Sequence, residues 1–161
     1  MKKEHKKKVV IVGRFGVGKT SLIQRFVHSI FSDMYLTTIG VKIDKKTVEF
    51  QNDRIHLIIW DIAGAKQNHN ISPLHLQGAH GFIYVCDLSR PSTLENLEIQ
   101  ISEIIKTTGN IPCLRVGNKS DLISPSKLKS IINTYSLDII SSAKHDKGVI
   151  EIFEQIAKKF I

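Results

Sequence analysis

Short runs of consecutive apolar residues alternate along this chain with longer stretches in which apolar residues recur every three or four positions. The first pattern describes strands buried on both faces and the second describes helices with one buried stripe. Their alternation predicts crossover units around a mostly parallel sheet. Residues 9–13 (VVIVG) form the first such strand, and residues 19–27 follow as a helix with Leu22, Ile23 and Phe26 along one stripe. Residues 41–50 alternate polar and apolar positions instead, and residues 54–60 return after Gln51, Asn52 and Asp53, which predicts a hairpin and one antiparallel strand. Further strands are predicted at 82–86, 113–116 and 139–140, each followed by a helical stretch, near 92–106, 125–132 and 148–160. The expected fold is α/β, a six-stranded and mostly parallel sheet with five helices spread over both faces. Residues 62–81 carry no clear period, and a loop of that length is a place to look for function.

Length and charge add bounds. At 161 residues the chain can close one core without metal or disulfide staples, and a single domain over residues 1–161 is expected. Cys86 and Cys113 lie inside apolar runs, where reduced, buried thiols are expected, as in a reducing cytoplasm. No apolar run approaches the roughly 18 residues of a membrane helix, and the start MKKEHKKK lacks the apolar core of a signal peptide, so a soluble, cytoplasmic protein is expected. The net charge of +8 concentrates at Lys2, Lys3, Lys6, Lys7 and Lys8 and again at Lys158 and Lys159, and residues 1–7 read as a basic, mobile tail. Such a tail is simply solvated, or it meets acidic lipid headgroups at about 1 kcal/mol per lysine, or it touches nucleic acid weakly. No aromatic signature interleaves with the lysines, so specific nucleic-acid recognition is not expected.

The strongest chemical signal is Gly13-Arg14-Phe15-Gly16-Val17-Gly18-Lys19-Thr20, which matches G-x-x-x-x-G-K-[ST] between a buried strand and a helix. A loop that aims successive backbone N–H groups at a phosphate chain must lack Cβ groups where it turns, and Gly13, Gly16 and Gly18 give that freedom. The helix beginning near Lys19 adds its positive end. Lys19 is expected on the β and γ phosphates and the Thr20 hydroxyl on Mg²⁺, with Val17 and Ser21 completing the set around the phosphates. The base is chosen elsewhere. Asn118-Lys119-Ser120-Asp121 follows the strand LRVG, and a carboxylate that accepts two hydrogen bonds suits guanine, whose N1–H and exocyclic amino group donate from one edge. Ser142-Ala143-Lys144 lies just past the next strand. An ATP-using P-loop enzyme fits neither Asp121 nor the lack of an evident substrate lid.

This ordered set resembles the Ras superfamily of small GTPases over essentially the whole chain, nearest to its Rab branch. Rab-like wording recurs in YLTTIGV, in WDIAG and in GAHGFIYVCDLSRPSTLENL. The resemblance implies a P-loop NTPase fold that binds GTP or GDP with Mg²⁺. It places Asn118 and Asp121 on the base, the Lys119 and Lys144 stems along its faces, and the Ala143 N–H on the guanine oxygen beside Ser142. Phe31 then covers the guanine edge, and Thr38 closes over Mg²⁺ and the γ-phosphate from a loop that also carries Tyr35. Asp61 holds the metal through water, and the Gly64 N–H senses the γ-phosphate. The implied mechanism is an order–disorder switch read by nucleotide-state-dependent effectors and reset by an exchange factor, acting as a monomer.

Two residues depart from that pattern. Ala65 stands where the family places the glutamine that orients the attacking water, and its side chain neither donates nor accepts. Phe15 puts a phenyl ring where Ras proteins carry glycine and many Rabs a small residue. Ras hydrolyses GTP at roughly 10⁻⁴ per second unaided, so these changes imply impaired hydrolysis, with the catalytic group unknown. Gln67 and His69 are candidate substitutes just downstream, and a partner supplying a glutamine in trans is another. Arg14 as a built-in arginine finger is disfavoured by its place within the loop. The same departures fit a non-cycling scaffold that keeps one nucleotide, although Thr38 argues for a switch. His69, His75 and His80 match no common zinc spacing, and His75 and Leu76 read as part of a partner-facing surface. The sequence ends at Ile161 without a cysteine to prenylate, so stable lipid anchoring is not expected. If the basic start reaches membranes at all, sedimentation with acidic vesicles will be weak and lost as salt is raised; binding indifferent to salt would refute the electrostatic account.

Overall fold

The computed structural model describes residues 1–34, 37–64 and 71–161. Six strands, β1 (Lys3–Val12), β2 (Val41–Glu49), β3 (Asp53–Ile62), β4 (Gly81–Asp87), β5 (Cys113–Asn118) and β6 (Ile139–Ile140), form one sheet in the order β2-β3-β1-β4-β5-β6. All neighbours run parallel except β2, which is antiparallel to β3, as the hairpin pattern predicts. The helices are α1 (Lys19–His28), α2 (Pro73–Leu76), α3 (Leu97–Thr108), α4 (Pro125–Thr134) and α5 (Val149–Lys158).

Apolar runs become strands here because both faces of the sheet are covered. β4 is buried at all of its positions, and successive residues of β1 serve opposite cores. Val9 and Ile11 pack with α1 and α5, while Val10 and Val12 pack with α2 and α3. In α5 the residues Val149, Ile152, Phe153 and Ile156 recur at helical spacing and are buried. The Phe153 ring stacks on Phe26 of α1 with centroids 4.0 Å apart, which fastens the helix carrying the glycine-rich loop to the end of the chain.

Two elements differ from the sequence pattern. β1 begins at Lys3, so the basic segment expected as a mobile tail is paired with β3 residue by residue, from Lys3 opposite Asp53 onward. Counter-charges from neighbouring strands make this possible: Lys2 bonds Glu49, Arg54 bonds both Glu4 and Glu49, His56 bonds Glu4, and His5 bonds Asp53. A run of lysines looks unstructured only until those partners are beside it. The helix expected from residue 92 begins at Leu97, because Thr93 first ties a short 3₁₀ turn, Pro91–Thr93, back to the end of β4. Its Oγ1 accepts from Asp87 N at 2.9 Å and lies 3.0 Å from the Asp87 carbonyl.

The carboxyl ends of β1, β3, β4 and β5 open on the same edge of the sheet. The chain leaves β1 toward β3 on one side and later returns to β4 on the other, so the crevice of an open parallel sheet lies at β1. Phe153→Ala removes a fully buried ring and is expected to cost about 3–5 kcal/mol in chemical denaturation; a cost under about 1 kcal/mol would mean that α1 is held some other way.

Candidate functional site

The loop from Gly13 to Gly18 leaves β1 and enters α1 with glycine at the helix N-cap and no side chain capping the first turn, so the N–H groups there stay available. Gly18 has φ +101°, and a Cβ on it would lie 2.3 Å from Asn118 Nδ2. Only glycine lets the phosphate loop and the base-side motif approach so closely. Lys19 is 6% exposed and donates to the carbonyls of Gly13 at 2.9 Å and Arg14 at 3.1 Å. Burial pushes its ammonium down to about 8, partly opposed by the Asp61 carboxylate.

Below Lys19, three side chains from separate elements meet. Thr20 Oγ1 donates to Asp61 Oδ2 at 2.7 Å, Thr38 Oγ1 lies 3.3 Å from the same oxygen, and the two hydroxyls bond each other. Asp61 ends β3 at 1% exposure, and burial pushes its carboxyl above the usual range. Its Oδ1 is buried with no hydrogen-bond partner among the described residues. A buried carboxylate with two hydroxyls on one oxygen and the other oxygen unpartnered among the described residues is an oxygen donor set that suits a small hard cation. Ala63 N donates to the Gly40 carbonyl at 2.9 Å, which ties the loop carrying Thr38 to the segment after Asp61. Gly64 then packs on the phosphate loop so closely that a Cβ would sit 2.4 Å from Phe15 Cα.

On the other side, Asn118 closes β5 at 1% exposure and braces two other segments. Its Nδ2 donates to the Val17 carbonyl at 3.0 Å, and its Oδ1 accepts from Ser141 Oγ at 3.0 Å and Ala143 N at 3.3 Å. Lys119, at φ +64°, donates to the Gly16 carbonyl at 2.7 Å. Asp121 Oδ1 accepts from Ser142 Oγ at 2.7 Å. A cleft of ≈ 290 Å³ opens among these groups, lined by Phe15, Gly16, Gly18, Lys19, Thr20, Ser21, Phe31, Thr38, Gly64, Asn118, Lys119, Asp121, Ala143 and Lys144.

Most residues singled out by sequence thus face one cleft. Gly13, Val17, Asp61 and Ser142 do not line it: Val17 and Ser142 brace Asn118 and Asp121 from behind, the Gly13 carbonyl accepts from Lys19, and Asp61 bonds Thr20. Tyr35, Ala65, Gln67 and His69 lie outside the described residues. His80 accepts from the Lys8 backbone N–H at 2.9 Å, which makes it a fastening between β1 and β4.

Sequence reasoning missed four contributors: Ser141, Asp87, Arg90 and Arg25. Arg25 of α1 donates to the Ala143 carbonyl at 2.9 Å and the Lys144 carbonyl at 2.7 Å, and it lies 5.5 Å from the Phe31 ring centre. Nothing local marks it, since an arginine on a helix reads as solvated until the loop after β6 arrives. Asp87 carried a signal that went unused, a carboxylate closing a fully apolar strand.

The Ras family model matches residues 8–161 of this chain. The Ras-related protein Rab-1 of Theileria parva is 36% identical over 159 residues, covering 94% of this chain and 72% of that protein. Rab-32C of Dictyostelium discoideum is 32% identical over 160 residues, covering 94% and 71%. Rab-21 of Homo sapiens is 32% identical over 161 residues, covering 96% and 72%.

Lys19 gives the cleft a pH dependence. A phosphate chain binds the ammonium form and raises its pKa, so affinity for a nucleoside diphosphate is expected to fall as pH rises above about 8, approaching tenfold per unit. Titration at constant ionic strength from pH 7 to 9.5 measures it; a flat profile would mean that Lys19 stays charged in the empty cleft.

Proposed function

The chain belongs to the Ras family, close to its Rab members, and from that premise we propose a guanine-nucleotide switch whose own GTP hydrolysis is impaired. Proteins of this family bind guanine nucleotides with Mg²⁺ and act through effectors and exchange factors. The observation that carries the switch reading for this chain is the meeting of Thr20 and Thr38 at Asp61 Oδ2, with Asp61 Oδ1 left unpartnered among the described residues. Thr20 and Thr38 would hold Mg²⁺ directly and Asp61 through water. When bound, the ion would supply positive charge that offsets the charge of the phosphates. Thr38 reaches this point from the connection between α1 and β2, so whatever holds the trio also sets the position of that loop.

The remaining assignments follow the cleft. Backbone N–H groups of residues 13–18 and the start of α1 take the phosphates, with Lys19 beside them. Asp121 reads the guanine edge, supported by Ser142, while Ala143 N–H meets the base oxygen. Lys119, Lys144 and Phe31 flank the ring system. Gly64, pressed against Phe15, reports on the γ-phosphate position. The protein works as a monomer in the cytoplasm, with at most weak electrostatic contact with membranes and no specific nucleic acid. Among the described residues, no helix is long and apolar enough to cross a membrane.

Impaired hydrolysis rests on Ala65 and Phe15. A methyl group cannot orient water, and the Phe15 ring, 37% exposed, lines the cleft beside Lys19 and Gly64. Both substitutions also favour a second reading, a scaffold that keeps one nucleotide. Chelation of Mg²⁺ separates the two: a switch releases and exchanges its nucleotide, and a scaffold retains it.

In a single turnover on GTP and Mg²⁺, phosphate release is expected well below about 10⁻⁴ per second. Ala65→Gln should raise it by at least several-fold, and Phe15→Gly in addition should raise it further. Ordinary Ras-like release by the unaltered protein would overturn the impairment, and loss of that release in Gln67→Ala or His69→Ala would name the substitute.

A further inference from the structure

Asp87, at the last position of β4, is a carboxylate with 2% side-chain exposure held by two cations. Arg90 Nε reaches its Oδ2 at 3.2 Å and Lys119 Nζ reaches the same oxygen at 3.1 Å. Ser89 fills the other oxygen, with N at 2.9 Å and Oγ at 2.6 Å from Oδ1. Each cation then extends to the phosphate loop. Arg90 donates from a terminal guanidinium nitrogen to the Phe15 carbonyl at 2.7 Å, and Lys119 donates to the Gly16 carbonyl, also at 2.7 Å. Two successive carbonyls of the loop are thus gripped by two cations that share one buried counter-ion. The Lys119 arm belongs to the base-side motif already described. The Arg90 arm does not.

The backbone aims Arg90 before any ligand arrives. Arg90 N donates to the Asp87 carbonyl at 3.0 Å, and Thr93, 4% exposed, bonds Asp87 N, the Asp87 carbonyl and the Arg90 carbonyl. The guanidinium therefore starts from a fixed turn, and its planar fork spans the carboxylate and the loop carbonyl together. A trans peptide points its C=O and the following N–H in opposite directions. With the Phe15 carbonyl turned outward to Arg90, the Gly16 N–H faces the cleft, where Gly16 is a lining residue. Arg90 also stands near enough to Lys19 to oppose its protonation electrostatically, so its charge is felt where phosphates would lie.

We propose that Arg90 is a positioning residue of the nucleotide site, which locks the Phe15–Gly16 peptide with its N–H toward the phosphate chain and so slows nucleotide release. The proposal rests on the guanine-nucleotide reading of the cleft. Asp87 serves as the anchor that keeps the guanidinium from turning to solvent, since nearly half of the Arg90 side chain is exposed. One charged hydrogen bond on the loop, lost without replacement, corresponds to release about 10- to 100-fold faster.

The test is release of a fluorescent GDP analogue, chased with excess GDP in Mg²⁺, from the full chain and from Arg90→Ala and Arg90→Lys. Arg90→Ala is expected to release about 10- to 100-fold faster, with a displaced ³¹P resonance of the bound β-phosphate. Arg90→Lys replaces the two separate nitrogens that reach Asp87 and the Phe15 carbonyl from this turn by one ammonium, and it should regain less than half of the loss on a logarithmic scale. Unchanged release in Arg90→Ala overturns the proposal. Faster release with an unmoved β-phosphate resonance and a lowered unfolding midpoint also overturns it, since that is general loosening. Full restoration by lysine overturns it as well, because charge without geometry would then suffice. If the unaltered chain binds no GDP analogue at all, the nucleotide reading has failed instead, which is seen before any variant is made.

Discussion

At one end of the sheet, four side chains that water would solvate strongly, Lys19, Asp61, Asp87 and Asn118, are at most 6% exposed, and the constraint that buried polar groups must be paired organises everything around them. Lys19 finds carbonyls of its own loop, Asp87 finds two cations, and Asn118 finds Val17 in one loop and Ser141 and Ala143 in another. Each pairing pulls together pieces of chain far apart in sequence, of which the 101 residues between Asn118 and Val17 are the clearest case. Asp61 is the exception. One of its oxygens has no hydrogen-bond partner among the described residues.

The fold supplies this end of the sheet cheaply. Parallel strands with helices on both faces bury apolar residues along their length and release the chain at their carboxyl ends, so the loops after β1, β3, β4, β5 and β6 all gather over one edge. The two cores beneath are nearly all aliphatic, with Phe26 and Phe153 stacked between α1 and α5. They give the loops above a rigid base. The interlocking of those loops has a mechanical consequence. The glycine-rich loop is held by Asn118 and Lys119 on one side, by Arg90 from the turn after β4 and by the close approach of Gly64 on another, so its backbone is braced from several directions.

The opposite end of the sheet follows different rules. There Lys2, just before β1, bonds Glu49, His5 bonds Asp53, and Glu4 joins Arg54 and His56 across the ladder. Exposed pairs of this kind contribute little each, and the backbone of this stretch is satisfied by its parallel ladder with β3. The lysine run is thus part of the sheet, and its electrostatic character is tempered by neighbours that the local sequence does not show.

The alternation of apolar runs and helical stripes determined the α/β fold, the hairpin and the antiparallel strand, because those depend on periods of two and 3.6 that are written locally. The glycine-rich loop, Asp121 and Thr38 were likewise legible as candidates, since their motifs set residue types at fixed spacing, and they do line one cleft. Only the tertiary structure decided where β1 begins, which side chains brace the cleft from behind, and that Asp87 joins Arg90 and Lys119 to adjacent carbonyls of one loop. Those contacts join residues tens of positions apart, and their energy comes from leaving water in each other's company. No period or spacing along the chain records it.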